Sequence, residues 1–218
     1  MKSIFKKYSI NRDYILILWL LLNSNGIFLR EYIVIINLFF LVIVIVFLKN
    51  KIELDKYFIV LLSFYIVWCL SIFMKYQSIE IITYSGFFTR ILCAYFTIKI
   101  IKENFFPLFV KIVYHLSLVS LPIFFIGLLF PNVMKSIYSI LSPHQQYFSN
   151  GRPDGIALSI YSFQLSNLGR NFGFMWEPGA FAGILIVAMM VHLAINAGKP
   201  NKVFCILSIA LFTTYSTT

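Results

Sequence analysis

Charge is what this sequence has least of. Charged residues make up 12% of its 218 positions, and only eight of them are acidic. Soluble domains carry about 25% charged residues to cover their surface, so a water-soluble globular fold is excluded at the outset. Cysteine and histidine are also scarce, three of each. Cys69, Cys93 and Cys205 fall inside apolar runs with neither paired nor metal-like spacing. They read as small core residues and not as a disulfide framework. His115 and His192 lie in apolar runs and His144 between two of them, with no ligand-like spacing among the three. The one close acidic pair, Glu53 and Asp55, sits among lysines that balance it. No metal and no cofactor is therefore expected.

What is present is apolar. Sixty per cent of the residues are hydrophobic, and the mean hydropathy is strongly positive. The net charge of +10 would suit a nucleic-acid partner if the basic residues lined one face of a domain. They sit instead in short clusters between apolar runs, which argues against nucleic acid and for orientation in a bilayer.

A hydrocarbon core of roughly 30 Å needs about 20 helical residues to cross it. Runs of that kind occur at 13–29, 32–48, 57–74, 81–101, 111–130 and 178–196, and a seventh begins at Val203. Open strands are excluded because lipid leaves their edges unsatisfied, and the runs exceed the roughly ten residues of a barrel strand. The expected fold is all-α: a polytopic transmembrane helix bundle of about seven spans forming one domain over 1–218. The seventh run, 203–218, has sixteen residues and would reach about 24 Å, so it is read as truncated and the chain as the N-terminal part of a longer protein. Lys2, Lys6, Lys7 and Arg12 imitate the start of a signal peptide, but no small-residue cleavage site follows. The first run is then an uncleaved span.

Lys and Arg in the connections set the expected orientation. Twelve fall on the side of the N-terminus: the four just named, Lys49, Lys51, Lys56, Lys99, Lys102, Lys111, Lys199 and Lys202. The other side holds five: Arg30, Lys75, Lys135, Arg152 and Arg170. The N-terminus is expected in the cytoplasm, and the long polar connection at 131–177 outside it.

Four features bear on chemistry, each with a structural alternative. Arg90 lies mid-run in Phe87-Phe88-Thr89-Arg90-Ile91-Leu92, where an arginine costs on the order of 2.5 to 3.5 kcal/mol to insert. It either snorkels or pairs with helix carbonyls, or it meets an anionic group such as a lipid phosphate, which guanidinium grips with two nitrogens. Next, the stretch from Leu168 to Gly183 closes the long connection and opens the sixth span. Glu177 and Pro178 suit a helix start electrostatically and sterically, yet a carboxylate there could also orient or deprotonate an acceptor hydroxyl. Arg170 either anchors to head groups or completes an anion site beside a glycine-bearing turn and a helix N-terminus. Gly179 and Gly183, four apart, read as a packing surface for another helix.

The third feature is the connection itself. Ile137, Ile140, Leu141, His144, Tyr147 and Phe148 share a helical face, which predicts an interfacial helix over 136–148. Arg152-Pro153-Asp154-Gly155 signals a turn. Tyr138, Tyr147, Phe148, Tyr161, Phe163 and Trp176 either mark the membrane interface or stack on sugar rings. The histidines form the fourth feature, already set aside as ligands.

The motif Arg-x-x-Gly-Phe-x-x-Glu-Pro-Gly from Arg170 to Gly179 leads into a span. The next span closes on Thr213-Thr214-Tyr215-Ser216-Thr217. With several earlier spans and a long outer loop, this order resembles the bacterial O-antigen polymerase and O-antigen ligase superfamily. The specific part of the resemblance covers residues 168–218, and elsewhere only topology is shared. Arg170, Gly173, Glu177 and Pro178 occupy the family's motif positions. The resemblance implies a metal-independent inverting glycosyltransferase at the outer face of the bacterial cytoplasmic membrane. Its substrate would be a glycan on undecaprenyl diphosphate, with membrane lipids around it and a chain-length regulator or flippase as partner. By that analogy Arg170 and Arg90 bind the lipid diphosphate with Gly173, and Arg170 and Glu177 are catalytic. The leading expectation is a polymerase of lipid-linked repeat units for O-antigen, capsule or exopolysaccharide. A ligase transferring glycan to the lipid A core shares the same features. A transporter or flippase of polysaccharide precursors would show repeated halves and paired broken helices, and neither is visible. A non-catalytic anchor or sensor would leave Arg90 and the Arg170–Glu177 cluster unexplained.

Overall fold

The computed structural model describes residues 12–25, 33–50, 52–76, 81–144, 155–158 and 160–215. It is mostly helical (81%). Helices lie on the predicted apolar runs in order: α1 (Arg12–Asn25), α2 (Ile33–Lys49), α3 (Lys56–Tyr76), α4 (Ile81–Ile101), α5 (Phe105–Leu129), α7 (Pro178–Ile195) and α8 (Lys202–Thr213), with α6 (Pro131–Leu141) after α5; α5 begins six residues before the expected 111, and positions 26–29 and 216–218 of the first and last runs lie outside the described residues. Three segments are long and apolar enough to cross a membrane: Lys56–Tyr76, Tyr84–Leu129 and Pro178–Ile195. The second joins α4 to α5 through a 3-10 turn at Lys102–Asn104, where Lys102 takes φ +58° and breaks the helical path.

The chain divides into two compact units, residues 37–102 and the remainder. In the smaller, α3 carries apolar side chains on all sides. Phe64 is 71% exposed and Trp68 52%, and of the whole helix only Phe58 is buried. A helix apolar all round has no stable place in water and suits contact with hydrocarbon. Its ends are marked alike: Lys56 lies over the Tyr57 ring and Lys75 over the Tyr76 ring, each at 5.1 Å. Aromatic and basic residues gather at membrane interfaces in this manner. The segment before α3 is tied to α4, since Tyr95 stacks on Phe58 at 3.5 Å and its hydroxyl accepts from the Asp55 N–H at 2.8 Å. Lys99 Nζ meets the Asp55 carboxylate at 2.5 Å, so the acidic residue read as balanced by lysines is paired with one.

In the larger unit α5 is the central element. It packs against α1, α7 and α8, and α7 packs against α8. The α1 contact includes a hydrogen bond between the Tyr14 hydroxyl and His115 Nδ1 at 3.0 Å. α7 and α8 form a hairpin. Gly198 donates to the Leu193 carbonyl at 2.8 Å with Ala197 at φ +51°, a Schellman-type end. Asn201 then caps α8, its side chain accepting from Val203 and Phe204. Leu185 and Ala188 of α7 and Leu207 and Ala210 of α8 are all fully buried.

The long connection is more ordered than its polarity predicts. Pro131 starts α6 directly after α5, earlier than the expected 136, because proline is favoured in a first turn where its missing N–H is not needed. Its buried face is Met134, with Ile137, Tyr138 and Leu141 beside it, while Ile140 is 67% exposed. The buried face is therefore shifted from the expected one, and Tyr147, Phe148 and the turn at Arg152–Asp154 lie outside the described residues. A feature absent from the all-α expectation is a short antiparallel hairpin, β1 (Gly155–Ala157) with β2 (Ser162–Gln164), in which Ile156 pairs with Phe163. Tyr161 and Phe163, expected at an interface or on sugars, are buried in a cluster with Met134 and Ile156. Burial raises the Tyr161 phenol above its ordinary pKa. Of the three cysteines only Cys93 is buried, Cys205 being exposed.

The Asp55–Lys99 pair generates a pH prediction. The hydrogen bond from Lys99, and then its charge, hold the Asp55 carboxyl below its ordinary value. Its contribution is complete above about pH 4, the unfolded carboxylate value, and is lost as the pH falls below that. Thermal unfolding of Asp55→Asn in detergent should therefore lack the acid-side loss attributable to this pair, and an unchanged acid limb would refute it.

Candidate functional site

The motif residues gather where α7 begins and α8 ends, and the order there follows from a backbone problem. Residues 171–175 are non-helical and buried, so each of their peptide groups needs a partner. Asn171 N–H donates to the Thr213 carbonyl at 2.8 Å, and Met175 N–H to the Phe172 carbonyl at 3.1 Å. The Gly173 N–H donates to Asn171 Oδ1 at 3.0 Å. Ser162 of β2 supplies the other side: its N–H donates to the Gly173 carbonyl at 2.7 Å, and its hydroxyl donates to the Met175 carbonyl. The hairpin thus supplies two of the hydrogen bonds of the segment that carries the motif.

Gly173 is required twice over. It takes φ +53°, which disfavours any side chain, and a Cβ there would stand 2.7 Å from the Phe181 ring. Phe181 lies in the first turn of α7, is fully buried and meets Phe174 edge-on at 5.7 Å between centroids. The glycine therefore allows the turn to close down on α7. This is a packing role, and it also presses the Arg170–Gly173 turn against the helix start.

Arg170 is half-buried. Its N–H is held by the Asn167 carbonyl at 3.1 Å, and Nε donates to the Thr214 carbonyl at 3.1 Å. The cation so satisfies a carbonyl at the end of α8, where the helix dipole is negative. Among the described residues its two terminal nitrogens meet no hydrogen-bond acceptor. Glu177 is the N-cap residue of α7 in extended conformation, with Pro178 following at the first helical position. Its side chain makes no capping hydrogen bond. The Glu177 carbonyl accepts from Phe181 N–H at 3.3 Å.

Arg170 is therefore tied to the end of α8, and Gly173 lies against the first turn of α7, which Glu177 and Pro178 open. Arg90 belongs to the smaller unit, half-buried in the middle of α4 with its guanidinium carbon 5.9 Å from the Phe87 ring. Gly183, read as a packing surface, is exposed, and among the described residues nothing lies within 4 Å of where a Cβ would stand. No group of three or more His, Cys, Asp or Glu able to hold a metal occurs among the described residues.

Sequence reasoning passed over Asn171, Ser120 and Thr213. Asn171 is fully buried and donates from Nδ2 to Thr213 Oγ1 at 2.9 Å and to Ser120 Oγ at 3.3 Å. Ser120 stands well inside α5, nine residues or about 13 Å before the helix ends at Leu129. The motif segment is thus drawn down alongside α5. Polar residues inside apolar runs, Ser117 and Ser120, were a signal of this in the sequence.

Gly173→Ala is expected to lower thermal stability in detergent by about 1–3 kcal/mol, from overpacking and the left-handed backbone. Gly169→Ala, where an added methyl meets nothing within 4 Å, serves as the control and should melt like the parent. Equal melting of all three proteins would contradict the geometry. Comparison with family models, curated proteins and solved structures finds no match to this chain.

Proposed function

We propose that this chain is a multi-pass protein of the bacterial cytoplasmic membrane that polymerises undecaprenyl-diphosphate-linked oligosaccharide units at the outer face. In this reading the seven apolar helices α1–α5, α7 and α8 are spans, the N-terminus is cytoplasmic, and residues 131–177 with the Arg170 turn lie outside. The uneven distribution of Lys and Arg supports that orientation. The exposed apolar surface of α3, bounded at each end by a lysine over a tyrosine, supports the membrane setting.

The observation that carries the functional reading is the state of Arg170. Its Nε is anchored to a helix-end carbonyl, while its terminal nitrogens meet no acceptor among the described residues, beside the start of α7. A cation held in this way is preorganised for an anion at low reorganisation cost. In the proposed reaction an acceptor sugar hydroxyl of one unit attacks the anomeric carbon of another. The bond from that carbon to the lipid diphosphate breaks, and the diphosphate leaves with the electron pair. Arg170 meets the charge that develops on the leaving group, a role a metal ion plays in other transferases. Glu177 orients the acceptor hydroxyl and receives its proton. Arg90 is assigned to a lipid phosphate on sequence grounds alone.

Arg170→Ala in the full-length protein is expected to abolish long glycan chains on gels while membrane levels of the protein stay normal. A normal chain-length ladder from that variant would sink the reading. A deletion strain separates polymerase from ligase. Single repeat units on lipid A mark the loss of a polymerase, and unattached lipid-linked polymer marks the loss of a ligase.

A further inference from the structure

Asn171 is the most enclosed polar side chain near Arg170, and its amide is committed on both sides. Nδ2 donates to Thr213 Oγ1 and to Ser120 Oγ, and Oδ1 accepts from the Gly173 N–H. The direction of these bonds is forced. The Thr213 hydroxyl gives its hydrogen to the Ala210 carbonyl at 2.7 Å and the Ser120 hydroxyl to the Ser117 carbonyl at 3.1 Å, so each is left as an acceptor. One planar amide supplies both donors and the acceptor. A carboxylate in its place would set its lone pairs against two oxygens whose hydrogens are taken, and an alanine would leave the Gly173 N–H buried and unpaired.

The consequence falls on Arg170. Its Nε bond runs to Thr214, the residue after Thr213, and the Asn171 N–H is bound to the Thr213 carbonyl. The offset between the 170–173 turn and the end of α8 is therefore set by the Asn171–Thr213 pair, from backbone to backbone and from side chain to side chain. Ser120 fixes the same amide against α5, so the turn cannot slide along α8 without breaking a bond to a second helix.

We infer that Asn171, through the Thr213 hydroxyl, is the positioning residue that keeps the Arg170 guanidinium in register with the Thr214 carbonyl. The catalytic side of this inference rests on the reading of Arg170 as the cation that meets the departing diphosphate. A group that acts only as charge develops is sensitive to misplacement in kcat, whereas binding of the long lipid-linked donor, spread over many contacts, is not.

Thr213→Val keeps the shape of the side chain and removes the acceptor, and Thr213→Ser keeps the hydroxyl. With the full chain in membrane vesicles supplied with lipid-diphosphate-linked repeat units, Thr213→Val should lower kcat on the order of tenfold at nearly constant KM. Thr213→Ser should retain the parent values. Hydrogen exchange of the Arg170 Nε–H, followed by NMR in detergent, gives a readout independent of activity. It should quicken in Thr213→Val and not in Thr213→Ser. Exchange unchanged in Thr213→Val, or equal loss in both variants, overturns the positioning role. Faster exchange with unchanged kcat overturns its catalytic consequence. If Arg170→Ala still makes long chains, the glycan reading fails, and the exchange measurement still decides whether Asn171 and Thr213 hold Arg170.

Discussion

Five buried residues without helical structure, 171–175, impose the constraint on which this part of the molecule depends. They are buried in the protein, and a buried peptide group left without a partner costs free energy. The partners come from three places: the end of α8 through the Thr213 carbonyl, the segment's own Asn171 amide, and Ser162 of the β-hairpin. The hairpin is held in turn by the cluster of Met134, Ile156, Tyr161 and Phe163 against α6. α6 leaves α5 at Phe130–Pro131, and Met134 and Leu168 lie beside Gly127 of α5. A single requirement, satisfaction of a short stretch of backbone, thereby links α5, α6, the hairpin, α7 and α8.

That arrangement ties down the turn that carries Arg170, which like Glu177 lies outside the regular helices. Arg170 is braced by the chain on either side and by its own bond to Thr214. Glu177 sits at a helix start that proline, and not a capping side chain, defines. Groups on irregular segments are usually positioned by a scaffold beneath them, and here that scaffold is the α5, α7 and α8 core. Within that core the hydroxyls of Ser117, Ser120 and Thr213 each direct their hydrogen to a helix carbonyl, and the Asn171 amide completes the set. The network is thus satisfied and directional, the condition under which buried polar groups specify one arrangement.

Much of the helical organisation was legible because apolar runs of this length are seldom anything but helices, and the observed boundaries of α2, α4 and α7 fall within two residues of those expected. The start of α7 was legible from Glu177-Pro178, since proline at a first helical position is a local effect. The long connection was not. Its aromatics read as interfacial from composition, yet Tyr161 and Phe163 turn inward because the hairpin places them over α6. Ile140 matched a helical face by spacing and is exposed, because the side of α6 that is buried is chosen by what lies beneath Met134 and not by periodicity alone.

The sequence by itself determined the class of structure: long apolar helices, sparse charge gathered between them, and a motif that joins an arginine, a glycine and a glutamate to a helix start. These are properties of nearest neighbours and of composition, and they need no partner to be read. Only the tertiary structure decided that Thr213 and Thr214 meet Arg170 and Asn171, some forty residues away in the chain, that Ser120 meets the Asn171 amide, and that Ser162 holds the Gly173 and Met175 carbonyls. Hydrogen bonds between distant segments depend on how helices pack, and no periodicity or local propensity carries that information.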